Sequence, residues 1–171
     1  MNLTEAIKAV APHASKDKLV SVLTGVQIQN SRVMATDRYT LAIVNVHGLD
    51  PNVTVWLDPA DVKAGVHSVT ADLITFTSGA TKPTYSSPGD YPAIERLVDN
   101  FKPNTGAPEH IESISLDVAH LSKFANKFLP RSHQGAPSFT FGLSNTQPVK
   151  VTFTHLPEYI ALIVPIKIKE A

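Results

Sequence analysis

The chain contains no cysteine, which excludes disulfides, thiolate metal sites, iron–sulfur clusters and cysteine nucleophiles. No apolar run approaches the roughly 18 residues of a membrane-spanning helix. Met1 is not followed by a basic segment and an apolar leader, so a soluble, unexported protein is expected. Neither sign of charge prevails, with fifteen Lys and Arg against fifteen Asp and Glu. Catalytic signatures are missing as well. The seven histidines form no HExxH, HxH or close carboxylate cluster, and there is no GxxxxGK(S/T), GxGxxG or GxSxG. His120 lies three residues after Asp117, which reads as a helix cap and a surface imidazole. Asp58 and Asp61 share a helix's first turn, where negative charge complements the macrodipole. Nothing argues for catalysis, and no cofactor or metal is expected.

What is present is globular in character. The 171 residues are 43% hydrophobic and 18% charged, enough for one domain, or one domain with a smaller partner. The neutral total hides a pattern. Residues 1–50 carry five basic and four acidic groups, 51–116 four and eight, and 117–171 six and three.

An internal repeat organises the chain. Helical periodicity begins near Leu3-Thr4, Leu57-Asp58 and Leu116-Asp117, and each helix is followed by short runs rich in Val, Ile, Phe and Thr. The copies read as strand, helix, then two or three strands, the first with almost no leading strand. Asn2 and Glu5 have capping-box spacing, ahead of an apolar stripe at Leu3, Ala6, Ile7 and Val10. Asp58-Pro59 is an N-cap followed by proline at the first helical position, with Gly65 as a stop. Asp117 caps the third helix, with Val118, Leu121, Ala125 and Phe128 on its apolar side and Pro130 at its end. Strands are expected in the alternating run around Val22, Thr24, Val26 and Ile28, and over 40–46, 53–57, 73–77, 138–143, 149–154 and 159–168. Few helices among many strands favour an α+β fold with antiparallel sheets. The stretch with Pro103, Gly106 and Pro108 reads as a linker.

Basic residues cluster on the helices. His120, Lys123 and Lys127 lie at i, i+3 and i+7, with Arg131 a turn further on. Lys8 precedes Lys16 and Lys18. Lys63 sits beside Asp58 and Asp61 and contributes less. Two readings stay open, a solvated amphipathic face and a surface that tracks phosphates without reading bases.

Three segments together resemble the bacterial and phage DNA polymerase III beta sliding clamp family. Ala35-Thr36-Asp37-Arg38-Tyr39-Thr40-Leu41-Ala42 is similar to the family's ATD-x-x-x-LA signature. Gly89-Asp90-Tyr91-Pro92-Ala93-Ile94-Glu95-Arg96-Leu97-Val98 is similar to its G-x-(F/Y)-P-x-x-x-R-(L/V) segment. The run from Tyr159 to Ile168 is similar to its C-terminal strand, with Val164 for the usual methionine and Lys167 for the arginine. The resemblance implies clamp-like repeats, with antiparallel sheets outside and helices on the inner face. Residues 1–99 look like a domain of two repeat units, 100–110 a linker, and 111–171 half a domain of one unit. A full clamp chain has three domains, so three units make one and a half.

The resemblance implies two surfaces. Lys8, Lys16, Lys18, Lys63, Lys123, Lys127 and Arg131 would face duplex DNA without sequence preference. Thr36, Tyr39, Thr40, Leu41, Pro92, Arg96, Leu97, Leu162, Ile163, Val164, Pro165 and Ile166 would form a pocket for short peptides of polymerases and other partners. The expected protein is a non-enzymatic processivity factor, a cytoplasmic homo-oligomeric ring of four or three chains in a bacterial cell or phage-infected host. The alternatives are a non-ring mimic that competes for clamp-binding partners, and an unrelated α+β interaction module. Ordinary core packing is the competing explanation for Leu41, Leu97 and Ile163.

Overall fold

The computed structural model describes residues 1–104, 114–125, 129, 136–144 and 146–166. Helix α1 spans Leu3–Val10. The Asn2 side chain accepts from the Glu5 N–H, and the Glu5 carboxylate accepts from the Asn2 N–H, so two otherwise orphaned donors are satisfied. Its apolar stripe, Leu3, Ala6, Ile7 and Val10, is buried. Helix α2 spans Pro59–Ala64, with Asp58 as N-cap and Gly65 as C-cap at φ 85°, a left-handed conformation that favours glycine.

The strands are β1 (Val26–Gln29), β2 (Arg32–Thr36), β3 (Thr40–Asn45), β4 (Val55–Leu57), β5 (Val66–Val69), β6 (Leu73–Phe76), β7 (Thr81–Pro83), β8 (Pro137–Thr140), β9 (Val149–Phe153) and β10 (Leu156–Ile163). Two short helices complete the described elements, α3 (Glu95–Asp99) and α4 (Val118–Ser122).

Sequence and structure part company in several places, and β2, β5 and β7 lie outside the expected strand runs. The strand expected from Val22 begins only at Val26, because Lys18–Thr24 forms a kinked 3-10 segment. Trp56 fixes that segment by donating its indole N–H to the Val22 carbonyl at 3.0 Å. Gly25 follows where a Cβ would lie 2.4 Å from both the Trp56 ring and the Leu57 carbonyl oxygen, so the close approach requires glycine. The apolar side of the third helix also differs. Val118 is 78% exposed and Ala125 is exposed, whereas Phe124 is buried, because the helix ends at Ser122 and the chain then turns. Phe128 and Pro130 lie outside the described residues. Finally, the linker-like stretch is preceded by α3, which no periodic pattern announced.

Seven strands form one antiparallel sheet in the order β4-β1-β2-β3-β10-β9-β8, and β5-β6-β7 form a second. The larger sheet unites strands that precede and follow residues 100–110 in the sequence, since β3 pairs with β10 from Tyr159↔Val44 to Ile163↔Thr40. Both of its faces are covered. One face presents Val33, Ala35, Ala42, Val44, Tyr159, Ala161 and Ile163 to the main core, closed by α1, by Val62 of α2 and by Leu121 and Phe124. The other presents Met34, Leu41, Ile43 and Leu162 to a smaller core under Ile94, Val98, Tyr91 and Phe101. This double coverage explains why β3 reads as a continuous apolar run rather than an alternating one.

Asp58 and Asp61 are structural. Asp58 caps α2, and buried Asp61 receives Lys82 at 3.0 and 3.2 Å together with the Tyr85 hydroxyl. Lys82 also sits over the Tyr85 ring, 4.1 Å from its centroid. The second sheet is thereby clamped to α2.

His13, just after α1, is fully buried. Its Nε2 meets the Tyr159 hydroxyl at 3.0 Å and its ring meets Phe124 edge-on at 5.1 Å. Burial, reinforced by the Lys123 charge, lowers its pKa to about 3, with Asp37 opposing. The folded state therefore resists protonation that the unfolded chain accepts near pH 6.5, so stability must fall as pH drops from there toward 3. Chemical denaturation between pH 7 and 4.5 should show a loss of up to about 1.4 kcal/mol per pH unit. His13→Gln should flatten that slope, and an unchanged slope would remove His13 as its cause.

Candidate partner-binding pocket

The site begins with a turn. Between β2 and β3 the chain reverses at Asp37-Arg38-Tyr39, held by side chains of the 36–40 segment itself. The Asp37 carboxylate accepts from the Tyr39 N–H at 3.1 Å, the Thr40 N–H at 2.8 Å and the Thr40 hydroxyl at 3.0 Å. The Thr36 hydroxyl donates to the Thr40 carbonyl at 2.7 Å and accepts from the Arg38 N–H at 3.1 Å. These bonds impose φ 80° on Arg38, a conformation that costs a non-glycine residue on the order of 1 kcal/mol. Thr, Asp and Thr at this spacing are thus the chemistry of the turn.

The turn receives two other elements. The Val164 N–H donates to the Tyr39 carbonyl at 2.8 Å, carrying the β10–β3 ladder one bond beyond the strand. From α4, the Lys123 ammonium binds Asp37 Oδ2 and the Thr40 hydroxyl, the latter at 2.8 Å. Burial pushes the Asp37 carboxyl up, but the Lys123 hydrogen bond, the Thr40 N–H and the Lys123 charge together hold it below the usual range.

Against this turn lies an apolar cavity of about 260 Å³, on the sheet face opposite α1. Its walls include Thr36, Tyr39, Thr40, Leu41, Pro92, Leu97, Leu162 and Val164, so three segments far apart in sequence meet there. Leu41 and Leu162 are buried at its base, while Tyr39 at 55%, Leu97 at 57% and Val164 at 37% exposure stand at its rim. Four expected residues are not among its walls. Ile163 is fully buried in the main core on the other face, because neighbouring strand residues point to opposite sides. Arg96 is exposed on α3, and Pro165 and Ile166 follow the end of β10. Conversely, Leu23, Arg38, Ile94 and Pro148 line the cavity and were not expected. Arg38 and Ile94 belong to the two motifs themselves, and Ile94 stands three residues before Leu97, on the same side of a helical turn. For Pro148 the sequence carries no signal.

The basic residues are more scattered than a single stripe. Lys16, Lys18 and Lys63 are exposed, and Lys8 lies half-buried in the last turn of α1. Lys123 corrects the expected stripe, since its ammonium is committed to Asp37 and Thr40 and its side chain is only 15% exposed. Lys127 and Arg131 lie outside the described residues. Lys16, Arg38 and Lys123 instead border a polar groove of about 680 Å³ that also holds Asp17, Asp37 and His120. Arg38 and Tyr39 line both this groove and the apolar cavity, and Tyr39 stacks on His120 at 5.4 Å. Among the described residues no cluster of three metal-ligating side chains occurs, and no helix is long and apolar enough to cross a membrane.

No family model matches the sequence, and no curated protein matches it. Solved structures do share the fold. The DNA polymerase III beta subunit of Thermotoga maritima superposes with a TM-score of 0.69 at 12% identity, covering 98% of this chain and 64% of that one. The sliding clamp of Bacillus subtilis gives 0.66 at 13% identity, with 98% and 62% covered. That of Pseudomonas aeruginosa gives 0.66 at 13%, with 97% and 64% covered. The chain has the fold of the DNA polymerase III beta sliding clamps, with helices and antiparallel sheets arranged as in those structures. It spans less than two thirds of their length.

The Lys123–Asp37 pair is the link between α4 and the pocket turn. Lys123→Met should leave a part-buried carboxylate without its counter-charge and cost about 1–3 kcal/mol. Urea melts of the single variants and of Asp37→Asn with Lys123→Met should show coupling; additive losses would mean that the two groups act independently.

Proposed function

We propose that this protein is a sliding-clamp subunit, a non-enzymatic processivity factor that encircles duplex DNA as a homo-oligomer and tethers a DNA polymerase. The observation that carries this reading is the convergence of three motif segments on one apolar cavity. Its lining, largely aliphatic and aromatic with Thr36 and Thr40 at the turn, suits the side chains of a short Leu- or Phe-bearing peptide. Affinity of about micromolar strength, near −8 kcal/mol, is typical of a modest peptide site. The sharing of fold with beta clamps supports the DNA role, and the exposed Lys16, Lys18 and Lys63 would supply phosphate contacts. The cytoplasm of a bacterial cell or a phage-infected host is the corresponding location.

A second reading rests on charge. The net charge is zero, and Lys123 is bound to Asp37, so electrostatic attraction to DNA is weak. A protein that keeps the pocket but forms no ring would compete with a clamp for its partners.

The pocket is tested by fluorescence anisotropy with a labelled hexapeptide carrying adjacent Leu and Phe. Leu97→Ala removes an exposed rim contact without touching the core and should weaken binding about tenfold, roughly 1.4 kcal/mol. Leu162→Asp places a charge at the base and should abolish binding, with circular dichroism confirming the fold. If Leu97→Ala and a folded Leu162→Asp bind like the parent, the peptide site lies elsewhere.

The DNA surface is tested separately. Replacing Lys16, Lys18 and Lys63 by Glu should reduce retention on duplex DNA equally for all sequences, and added salt should reduce it further through counterion release. Retention unaffected by either change would make these lysines ordinary solvated side chains.

A further inference from the structure

The turn that builds the apolar cavity also brings it a charge. Of the residues lining the cavity Arg38 alone is charged, and it lines the polar groove as well. Its backbone is held at φ 80° by the bonds within the turn, so the point from which the side chain departs is fixed. The guanidinium is 59% exposed and has one acidic neighbour, Asp17, at 3.7 Å. At that distance the two form an ion pair without a hydrogen bond. Among the described residues the N–H donors of the Arg38 side chain are therefore unspent.

The carboxylates of the groove are spent. Asp37 accepts from the Tyr39 and Thr40 N–H groups, the Thr40 hydroxyl and Lys123. Asp17 accepts from the Leu19 N–H at 2.9 Å and faces Arg38. Lys16 is exposed, and among the described residues no carboxylate pairs with it. Three cations, Lys16, Arg38 and Lys123, stand against two carboxylates. With histidine counted as neutral, the groove keeps a surplus of one positive charge. It has donors to give and needs an acceptor from outside.

We propose that Arg38, with Lys16 in the same groove, selects partner peptides that carry a carboxylate beside their apolar pair, the apolar side chains seated in the cavity and the acid reaching into the groove. This rests on the peptide reading of the cavity and adds the chemistry of the peptide's flank. Continuity supports it. Arg38 and Tyr39 line both spaces, and successive residues of an extended peptide are only about 3.4 Å apart. The planar guanidinium matches a carboxylate, which can accept two of its N–H groups at once. A surplus of one charge fits one carboxylate, whereas a nucleic-acid strand would bring several phosphates past Asp17 and Asp37. An apolar cavity alone would take any Leu-Phe pair; the adjoining charge makes the choice among them.

The test is fluorescence anisotropy on the full chain, with hexapeptides that carry Asp or Asn directly before or directly after the Leu-Phe pair. At one of these positions the Asp peptide should bind about fivefold tighter than its Asn counterpart, the strength of a good exposed ion pair. Added salt should shrink that ratio. In Arg38→Gln and Arg38→Gly the ratio should fall to about one, and Arg38→Lys should keep part of it. Glycine adopts φ 80° without strain, so Arg38→Gly removes the charge while suiting the turn. A damaged turn would weaken both peptides alike and leave the ratio intact. Equal binding of Asp and Asn peptides at both positions, or a ratio that survives Arg38→Gln and Arg38→Gly, overturns the inference and leaves the cavity standing as a peptide site. If the Asp and Asn peptides bind equally and a short oligothymidylate displaces them, the groove belongs to phosphates instead. Failure of every peptide to bind the wild type overturns the cavity reading, and this inference with it.

Discussion

The structure depends on the pairing of β10 with β3. Five residue pairs, Tyr159↔Val44 through Ile163↔Thr40, join strands β8 to β10 to strands β1 to β4 and make one sheet of what would otherwise be two. That register also decides which side chains go where. Ala161 and Ile163 enter the main core, and Leu162 between them faces the other side. A slip of one residue would exchange these faces, leaving Leu162 in the main core and the base of the cavity unbuilt. The Val164–Tyr39 backbone bond and the Lys123–Asp37 pair fasten the same junction at its end.

The two faces of the sheet divide the labour. Helices α1, α2 and α4 close the main core on one side. The second, smaller core lies on the other side, where α3 and Tyr91 leave the apolar cavity open. The strained φ at Arg38 belongs to this arrangement, since it lifts Tyr39 to the boundary between the cavity and the polar groove.

Much of the fold was legible because its signals are local. Asn2, Asp58 and Asp117 each cap the helix that the sequence places there, since capping needs only a side-chain oxygen two or three residues before an N–H. Antiparallel sheets followed from the frequency of short β-branched runs. What was illegible depended on contacts made at long range. Val22 and Thr24 alternate like a strand, yet Trp56, 34 residues on, holds that segment in a tight helical turn. Lys123 looked like a surface cation by helical spacing, and its partner Asp37 lies 86 residues away. For the pocket, motif position indicated Leu41, Pro92, Leu97, Leu162 and Val164 as its neighbours. The alternation of β10 removed Ile163, and Pro148 entered only through the loop before β9.

In the proposed function the β3 turn, the 91–98 segment and β10 form one surface for an extended apolar peptide. Methyl NMR of the full chain during titration with the Leu-Phe hexapeptide tests it most directly. Saturable shifts are expected at Leu23, Leu41, Leu97, Leu162 and Val164, with Val33, Val44 and Ile163 in the main core unmoved. Shifts confined to other methyls, or none at concentrations well above micromolar, would contradict it.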